Sequence, residues 1–244
     1  MTGVTHSVEI TTIADIPSRG TGLGSSSALT VGLLNALHTY AGRTPDAEQL
    51  AEEACRIEID ILGQPIGRQD QYAAAFGGSN QISFLADDSV NVMPINLDAS
   101  ALEDNYFLVY TGMTRKASGI LAKQSASSDK KRSELDSLRQ QAIEVREALE
   151  SGDHAAVGRL LDASWQIKRN LVDGITVSSL DDLYTSIISM GATGGKLLGA
   201  GGGGFFLFQG SETIRSKIEV EHKVIPLVMD TAGSTIIFDD GSRL

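Results

Sequence analysis

Residues 8 to 13, Val-Glu-Ile-Thr-Thr-Ile, alternate in polarity and are rich in β-branched side chains, a period of two that predicts a strand. From Ala28 the period lengthens. Val31, Leu34 and His38 recur on one side with Leu33, Leu37 and Tyr40 beside them, so a helix follows and closes at Gly42. The order strand, glycine-rich connection, helix aims a helix N-terminus at a phosphate. A second helix opens with Thr44 as cap, Pro45 at the first helical position and Asp46 and Glu48 in the first turn. Its apolar stripe is Leu50, Ala54, Ile57 and Ile61, flanked by Ala51, Cys55 and Leu62, and it ends at Gly63. Glu58 falls in the flanking row, where a carboxylate needs either a partner or a path to water. His38, at the far end of the first helix, reads as a packing histidine.

Residues 63 to 71 form a loop that sets Arg68 and Asp70 just before a short helical segment, Tyr72 to Phe76. A hairpin is expected from Gln81 to Phe84 and Val90 to Ile95, turning at Asp87-Asp88. A polar connection, Asn96 to Asp104, leads to the strand Tyr106 to Tyr110, and a domain boundary there divides the chain into 1–98 and 99–244. Lys123 to Lys131 is a loop or the ragged start of the next helix. Helices follow from about Ser133 to Glu150, through Val157 to Lys168, and from Leu180 to Met190 with Ser179 as cap. A strand, Phe205 to Phe208, a helix, Thr213 to Val220, and two further strands, Val224 to Val228 and Ser234 to Phe238, finish an alternation of the split βαβ kind.

The composition narrows the function. The 244 residues are 41% hydrophobic, enough for one large domain or two modest ones. A net charge of −11 argues against a nucleic-acid surface, so an anionic substrate has to be held locally by backbone amides, a few cations or a metal. The single cysteine, Cys55, makes neither an internal disulfide nor a cysteine-based metal cluster, which fits a reducing compartment. No charged leader and no apolar run of membrane-spanning length is present, so the expectation is a cytoplasmic protein without a membrane partner.

Gly20-Thr21-Gly22-Leu23-Gly24-Ser25-Ser26-Ser27-Ala28 carries the chemistry. Alternate glycines let a backbone wrap an anion, and the serines add hydroxyl donors or metal ligands where the helix starts. A Walker A loop would need Gly-Lys-Ser/Thr after four intervening residues, and a dinucleotide fingerprint would need glycine where Ser25 stands; both are absent. A second cluster, Gly199 to Gly204, lies between Lys196-Leu197-Leu198 and an apolar strand, which implies close approach by another backbone or a ligand. Asp70 heads a helix among Arg68, Gln69 and Gln71, more polar company than a simple cap requires. Arg115 and Lys116 place two adjacent cations in the loop after the strand at 106–110.

With these features together the chain resembles the GHMP kinases, the family of galactokinase, homoserine kinase and mevalonate kinase. Pro17 to Ala28 is similar to their second, phosphate-binding motif, and Gly194 to Gly204 to their third. The resemblance implies an α+β protein of the GHMP kinase fold, with a partial N-terminal domain like ribosomal protein S5 domain 2 and a ferredoxin-like C-terminal domain. It implies ATP and Mg²⁺ as cofactors, with Ser26 and Glu58 as metal ligands, Gly20, Gly22, Leu23, Gly24, Ser25, Ser26 and Ser27 on the nucleotide, and Gly201, Gly202 and Gly203 with Arg115 and Lys116 toward the substrate. Asp70 is implied as catalytic base, kept ionised by Arg68 beside it, and a metal is implied as the partner of Glu58. Gly67-Arg68-Gln69-Asp70-Gln71-Tyr72, residues 110 to 115, and Trp165 with Lys168 are similar to the family's kinases of D-glycero-D-manno-heptose 7-phosphate, with fucose or another small sugar as alternative acceptor. Family members begin with further strands carrying a first motif, whereas this chain opens just before the second and is read as truncated at its start. That expectation exposes a sheet edge suited to homodimerisation. It also keeps open a non-catalytic module that binds nucleotide or sugar phosphate.

Overall fold

The structure is a computed structural model and describes residues 1–5, 7–15, 20–114 and 118–241. It divides into two compact units: Met1–Ser18, Gly24–Pro94 and Asp230–Leu244 form one, and Arg19–Leu23 with Ile95–Met229 the other. The sequence suggested 1–98 and 99–244; in the structure the change falls at 94/95, residues 19–23 go with the second unit, and the C-terminal segment returns to the first.

The first unit is built on three helices. Helix α1 (Ser25–Tyr40) starts from Gly24, whose φ of +66° is the left-handed conformation that turns the loop into the helix. Helix α2 (Ala47–Cys55) is capped by Asp46, which accepts from the Gln49 amide at 2.8 Å, two residues beyond the cap expected at Thr44. It continues without a break into one π-helical turn, Arg56–Ile61. Helix α3 (Gln69–Phe76) follows the Gly/Pro loop. Val31 and Leu34 of α1, Leu50, Ala51, Ala54 and Cys55 of α2, and Tyr72 and Ala75 of α3 meet in one core. The buried His38 ring ties α1 to α2 through Nε2, 2.7 Å from Glu53 Oε2. Strands β1 (Asn80–Phe84) and β2 (Val90–Pro94) form the expected antiparallel hairpin, with Ile82 opposite Val92 and both packed on the helices.

Two strands expected in this unit are not formed. Residues 8–13 and 234–238 are irregular, and Ile13 and Ile237 are 93% and 96% exposed. The β-branched pattern is present in both, but a strand exists only as one side of a hydrogen-bonded ladder, and among the described residues neither segment has a neighbour to pair with. The start of the second segment and the chain just before it are nevertheless tied down. Gly78 donates to the Asp230 carbonyl at 2.7 Å, and Asn35 Nδ2 donates to Ser234 O and Oγ, each at 3.1 Å.

The second unit holds a four-stranded sheet in the order β4-β5-β3-β6, antiparallel throughout. Along the chain come helix α4 (Ala99–Asn105), β3 (Tyr106–Tyr110), helices α5 (Ser118–Ser127), α6 (Arg132–Glu150), α7 (His154–Lys168) and α8 (Ser178–Ser189), then β4 (Gly194–Leu197), β5 (Phe205–Gln209), α9 (Glu212–Glu219) and β6 (Val224–Pro226). This is the expected ferredoxin-like arrangement. Phe107 pairs with Phe208 and Val109 with Phe206, so these four side chains share one face, where Trp165, Leu180, Tyr184 and Ile187 cover them.

Three local readings change. The supposed connection at 96–104 is largely α4, capped by Asp98 on the Ser100 amide at 3.0 Å, because Ala-Ser-Ala-Leu-Glu favours helix and Leu102 can be buried. Residues 123–131 are the end of α5 and one 3₁₀ turn, Ser128–Lys131. Helix α8 begins at Ser178 with Val177 at its cap position, so Ser179 lies inside it. Strand β4 was not legible because two of its four residues are glycine, and the reason lies across the packing: a Cβ on Gly194 would collide with the Gly158 carbonyl of α7.

Phe206 is fully buried and meets the ring of Trp165 edge to face at 5.3 Å. Phe206→Ala is expected to destabilise the second unit by about 3–5 kcal/mol. Urea unfolding followed by the emission of Trp165, the chain's single tryptophan, measures it; a change below about 1 kcal/mol would contradict this core.

Candidate functional site

In the first unit the sequence-predicted residues gather at the head of α1. Gly24 leaves its side-chain space open, and the space is used: a Cβ there would lie 3.4 Å from Asp70 Cγ. The Asp70 carboxylate therefore stands beside the N-terminal turn of α1, where unpaired amides and the helix dipole favour negative charge. Behind it Glu58 is almost completely buried, at 3% exposure. Glu58 Oε2 accepts from Ser27 Oγ at 2.7 Å and from Gln71 Nε2 at 2.6 Å, while Oε1 accepts no hydrogen bond among the described residues. The π-helical turn, which shifts the phase of α2 by one residue, carries Glu58 at this inward position.

The Asp70 carboxyl is pushed up from its ordinary value by burial, with the Glu58 charge adding to the effect and the Gln69 amide, 3.3 Å from Oδ1, opposing it. The expected cause of an ionised Asp70 is absent. Arg68 makes no bond to Asp70; its guanidinium donates to the Asp88 carbonyl at 3.1 Å, pairs with the Asp88 carboxylate at 3.6 Å and lies over the Phe84 ring at 5.2 Å. Arg68 precedes the helix, and its long side chain finds the turn of the β1–β2 hairpin, a partner far off in sequence.

In the second unit the short segment Gly20 to Leu23 rests on the second glycine cluster. A Cβ on Gly22 would lie 2.8 Å from the Leu198 carbonyl oxygen, one on Gly199 would lie 2.5 Å from the Gly22 Cα, and one on Gly204 would collide with the Thr21 carbonyl. The approach implied at 199–204 is thus by another backbone. Gly201 to Gly204 are all buried, and the amides of Gly202 and Gly204 donate at 2.8 Å to the carbonyls of Ile175 and Met113. Gly201, Gly202 and Gly203, expected on the substrate, are packed against Ile175 and Met113.

The structure thus brings Gly24, Ser27, Glu58 and Asp70 together, adds Gln71, and sets Ser26 on the exposed side of α1 with no hydrogen bond to Glu58. Gln71 went unassigned because a polar residue after Asp70 has no signal of its own; only burial of Glu58 shows why it is glutamine. Arg115 and Lys116 lie outside the described residues. A carboxylate with a neighbouring serine hydroxyl is a hard oxygen donor set, and no cluster of three or more His, Cys, Asp or Glu that could hold a metal occurs among the described residues. Hard oxygen donors of this kind are the chemistry that Mg²⁺ accepts beside waters and phosphate oxygens.

Comparison with known proteins bears on the family and the fold. The family described as GHMP kinases N terminal domain matches residues 1–78, and that described as GHMP kinases C terminal matches 145–220. The chain is similar to D-glycero-alpha-D-manno-heptose 7-phosphate kinase of Campylobacter jejuni, 36% identical over 207 residues, covering 83% of this chain and 61% of the relative. It is 30% identical to L-fucokinase/L-fucose-1-P guanylyltransferase of Bacteroides fragilis over 81% of this chain and 22% of that protein. Among solved structures it superimposes on a D-glycero-D-manno-heptose 1-phosphate kinase from Bacteroides thetaiotaomicron with a TM-score of 0.68 and 27% identity, covering 89% of this chain and 64% of the other. The chain therefore spans about three fifths of the Campylobacter relative.

Because burial raises the Asp70 carboxyl in the folded state, ionising it costs folding free energy. The cost is absent below the unfolded value near ~3.9 and complete above the folded one. Asn is neutral and nearly isosteric, so Asp70→Asn without nucleotide or metal is expected to melt at a higher temperature than the parent at about pH 7.5, the gap closing toward about pH 4. A lower melting temperature at neutral pH would show the ionised carboxylate to be stabilised instead.

Proposed function

Because this chain belongs to the GHMP kinase family, we propose that it transfers the γ-phosphoryl group of ATP to the anomeric hydroxyl of D-glycero-D-manno-heptose 7-phosphate. The observation that carries the reading is the buried group at the head of α1, with Asp70 against Gly24 and Glu58 held by Ser27 and Gln71. The similarity of the chain to a heptose 7-phosphate kinase supports the acceptor.

In this reading the amides opening α1 and the loop before it bind the phosphates of ATP by backbone and dipole. Glu58, with the Ser26 and Ser27 hydroxyls, would hold Mg²⁺, whose charge would supply neutralisation of the phosphates. Asp70 accepts the proton of the acceptor hydroxyl as its oxygen bonds to the γ-phosphorus and the bond to the ADP oxygen breaks. Its raised affinity for a proton suits it to that acceptance better than an ordinary surface aspartate. Ser27 and Gln71 fix the Glu58 carboxylate in one orientation, so that no reorganisation is needed during transfer. Arg68, engaged by Asp88 and Phe84, has no part in the proton transfer; it holds the loop that leads into α3. The proposed setting is the cytoplasm.

A second reading is favoured by the apolar segments at 8–13 and 234–238, exposed without a strand partner. It makes the chain a binding module whose turnover awaits a partner, such as a second copy, that completes a ladder.

ADP release from this chain with ATP, Mg²⁺ and a panel of heptose 7-phosphate, fucose and galactose tests both. Turnover on heptose 7-phosphate that falls on the order of 100-fold or more in Asp70→Asn, with ATP affinity kept, is the expected outcome. Turnover on fucose or galactose instead reassigns the acceptor, and ATP binding without turnover on any sugar selects the second reading.

A further inference from the structure

Lys168 ends α7, one turn beyond the buried Trp165. Its Nζ donates to two backbone carbonyls, Leu197 at 3.0 Å and Gly199 at a shorter distance. These carbonyls bracket Leu198, the residue whose own carbonyl lies against Gly22. The ammonium therefore clamps the turn on which Gly20 to Leu23 rest. Among the described residues no carboxylate pairs with it: Asp162 of the same helix accepts from Tyr184 Oη at 2.6 Å, and Asp181 of α8 is taken by Arg169 at 2.5 Å. The charged group acting on it from the sheet is Lys196 of β4, a second cation. A cation so placed, with only carbonyl dipoles to stabilise it, is present for the sake of those carbonyls.

We propose that Lys168 is a positioning residue for nucleotide binding: its two bonds hold the turn at 197–199 in the shape that keeps the backbone of residues 20–23 ready for phosphate. The inference rests on the reading of the loop as a phosphate cradle. Burial and Lys196 together push the Lys168 ammonium down to about 7, so the strength of the clamp varies with pH near neutrality. The protonated form makes the stronger bonds, so the clamp is complete below about 7 and weakens above it.

The test uses hydrogen exchange of nucleotide-free protein alongside ATP–Mg²⁺ affinity. Lys168→Met keeps an unbranched stem of the same length up to Cε and removes the donors. Expected are faster exchange at the amides of Gly202 and Gly204, whose acceptors are Ile175 and Met113, and ATP binding weakened about tenfold. Lys168→Arg restores part of both, which lost packing alone would not give. In the parent chain, protection at the same amides, corrected for intrinsic rate, is expected to fall as pH rises through about 7, a readout that survives if the Met variant does not fold. Unchanged exchange and ATP affinity in folded Lys168→Met, or flat protection across that pH range in the parent, would overturn the proposal. Loosened amides in a chain whose parent binds no ATP would overturn its nucleotide part, and with it the kinase reading, while leaving the clamp itself in place.

Discussion

The contact on which the second unit's glycine loop depends is backbone against backbone: Gly22 on Leu198 and Gly199, and Thr21 under Gly204. A side chain at Gly22, Gly199 or Gly204 would enter the space of another main chain, which cannot move aside as a flexible side chain can. Glycine alternation therefore does two things in one stretch. At 22 it lets the loop lie on its support, and at 24 it turns the chain into α1 and leaves room for Asp70. A loop fixed in this way keeps little conformational entropy.

The second constraint is the burial of Glu58. A carboxylate at 3% exposure is costly unless hydrogen-bonded or paired with a cation, and this one has two donors on one oxygen and none on the other. Asp70 is raised by the same desolvation and partly by Glu58 itself. The pair thus shows one trade: groups moved away from their ordinary protonation by burial are groups whose charge is costly to the fold. Lys168 and Lys196 extend the trade to the second unit, both lowered by burial beside the glycine turn.

Arg68 shows how a residue can be expected beside the wrong neighbour. Two positions from Asp70 in sequence, it was expected to hold that carboxylate ionised, yet on a helix start such neighbours diverge, and a guanidinium reaches whatever aromatic face and carboxylate lie within its length. Ser26 and Ser27 illustrate the same point at finer scale. Adjacent serines on a helix point about 100° apart, so only the fold decides that Ser27 is the one turned inward to Glu58.

By itself the sequence determined what depends on local pattern and on backbone chemistry. The helices α1, α2, α6, α7 and α9, the strands β3 and β5, the two glycine clusters and the suspicion attached to Glu58 and Asp70 were all legible, because period, capping and missing side chains are properties of a few consecutive residues. Tertiary structure decided the rest. It made a strand of Gly194–Leu197 by supplying β5 and the surface of α7, denied one to residues 8–13 and 234–238 for want of a ladder, and assigned the partners of Glu58, Arg68 and Lys168. Strand pairing and the burial of charge are settled between residues distant in the chain, and no local pattern encodes which of several donors will arrive.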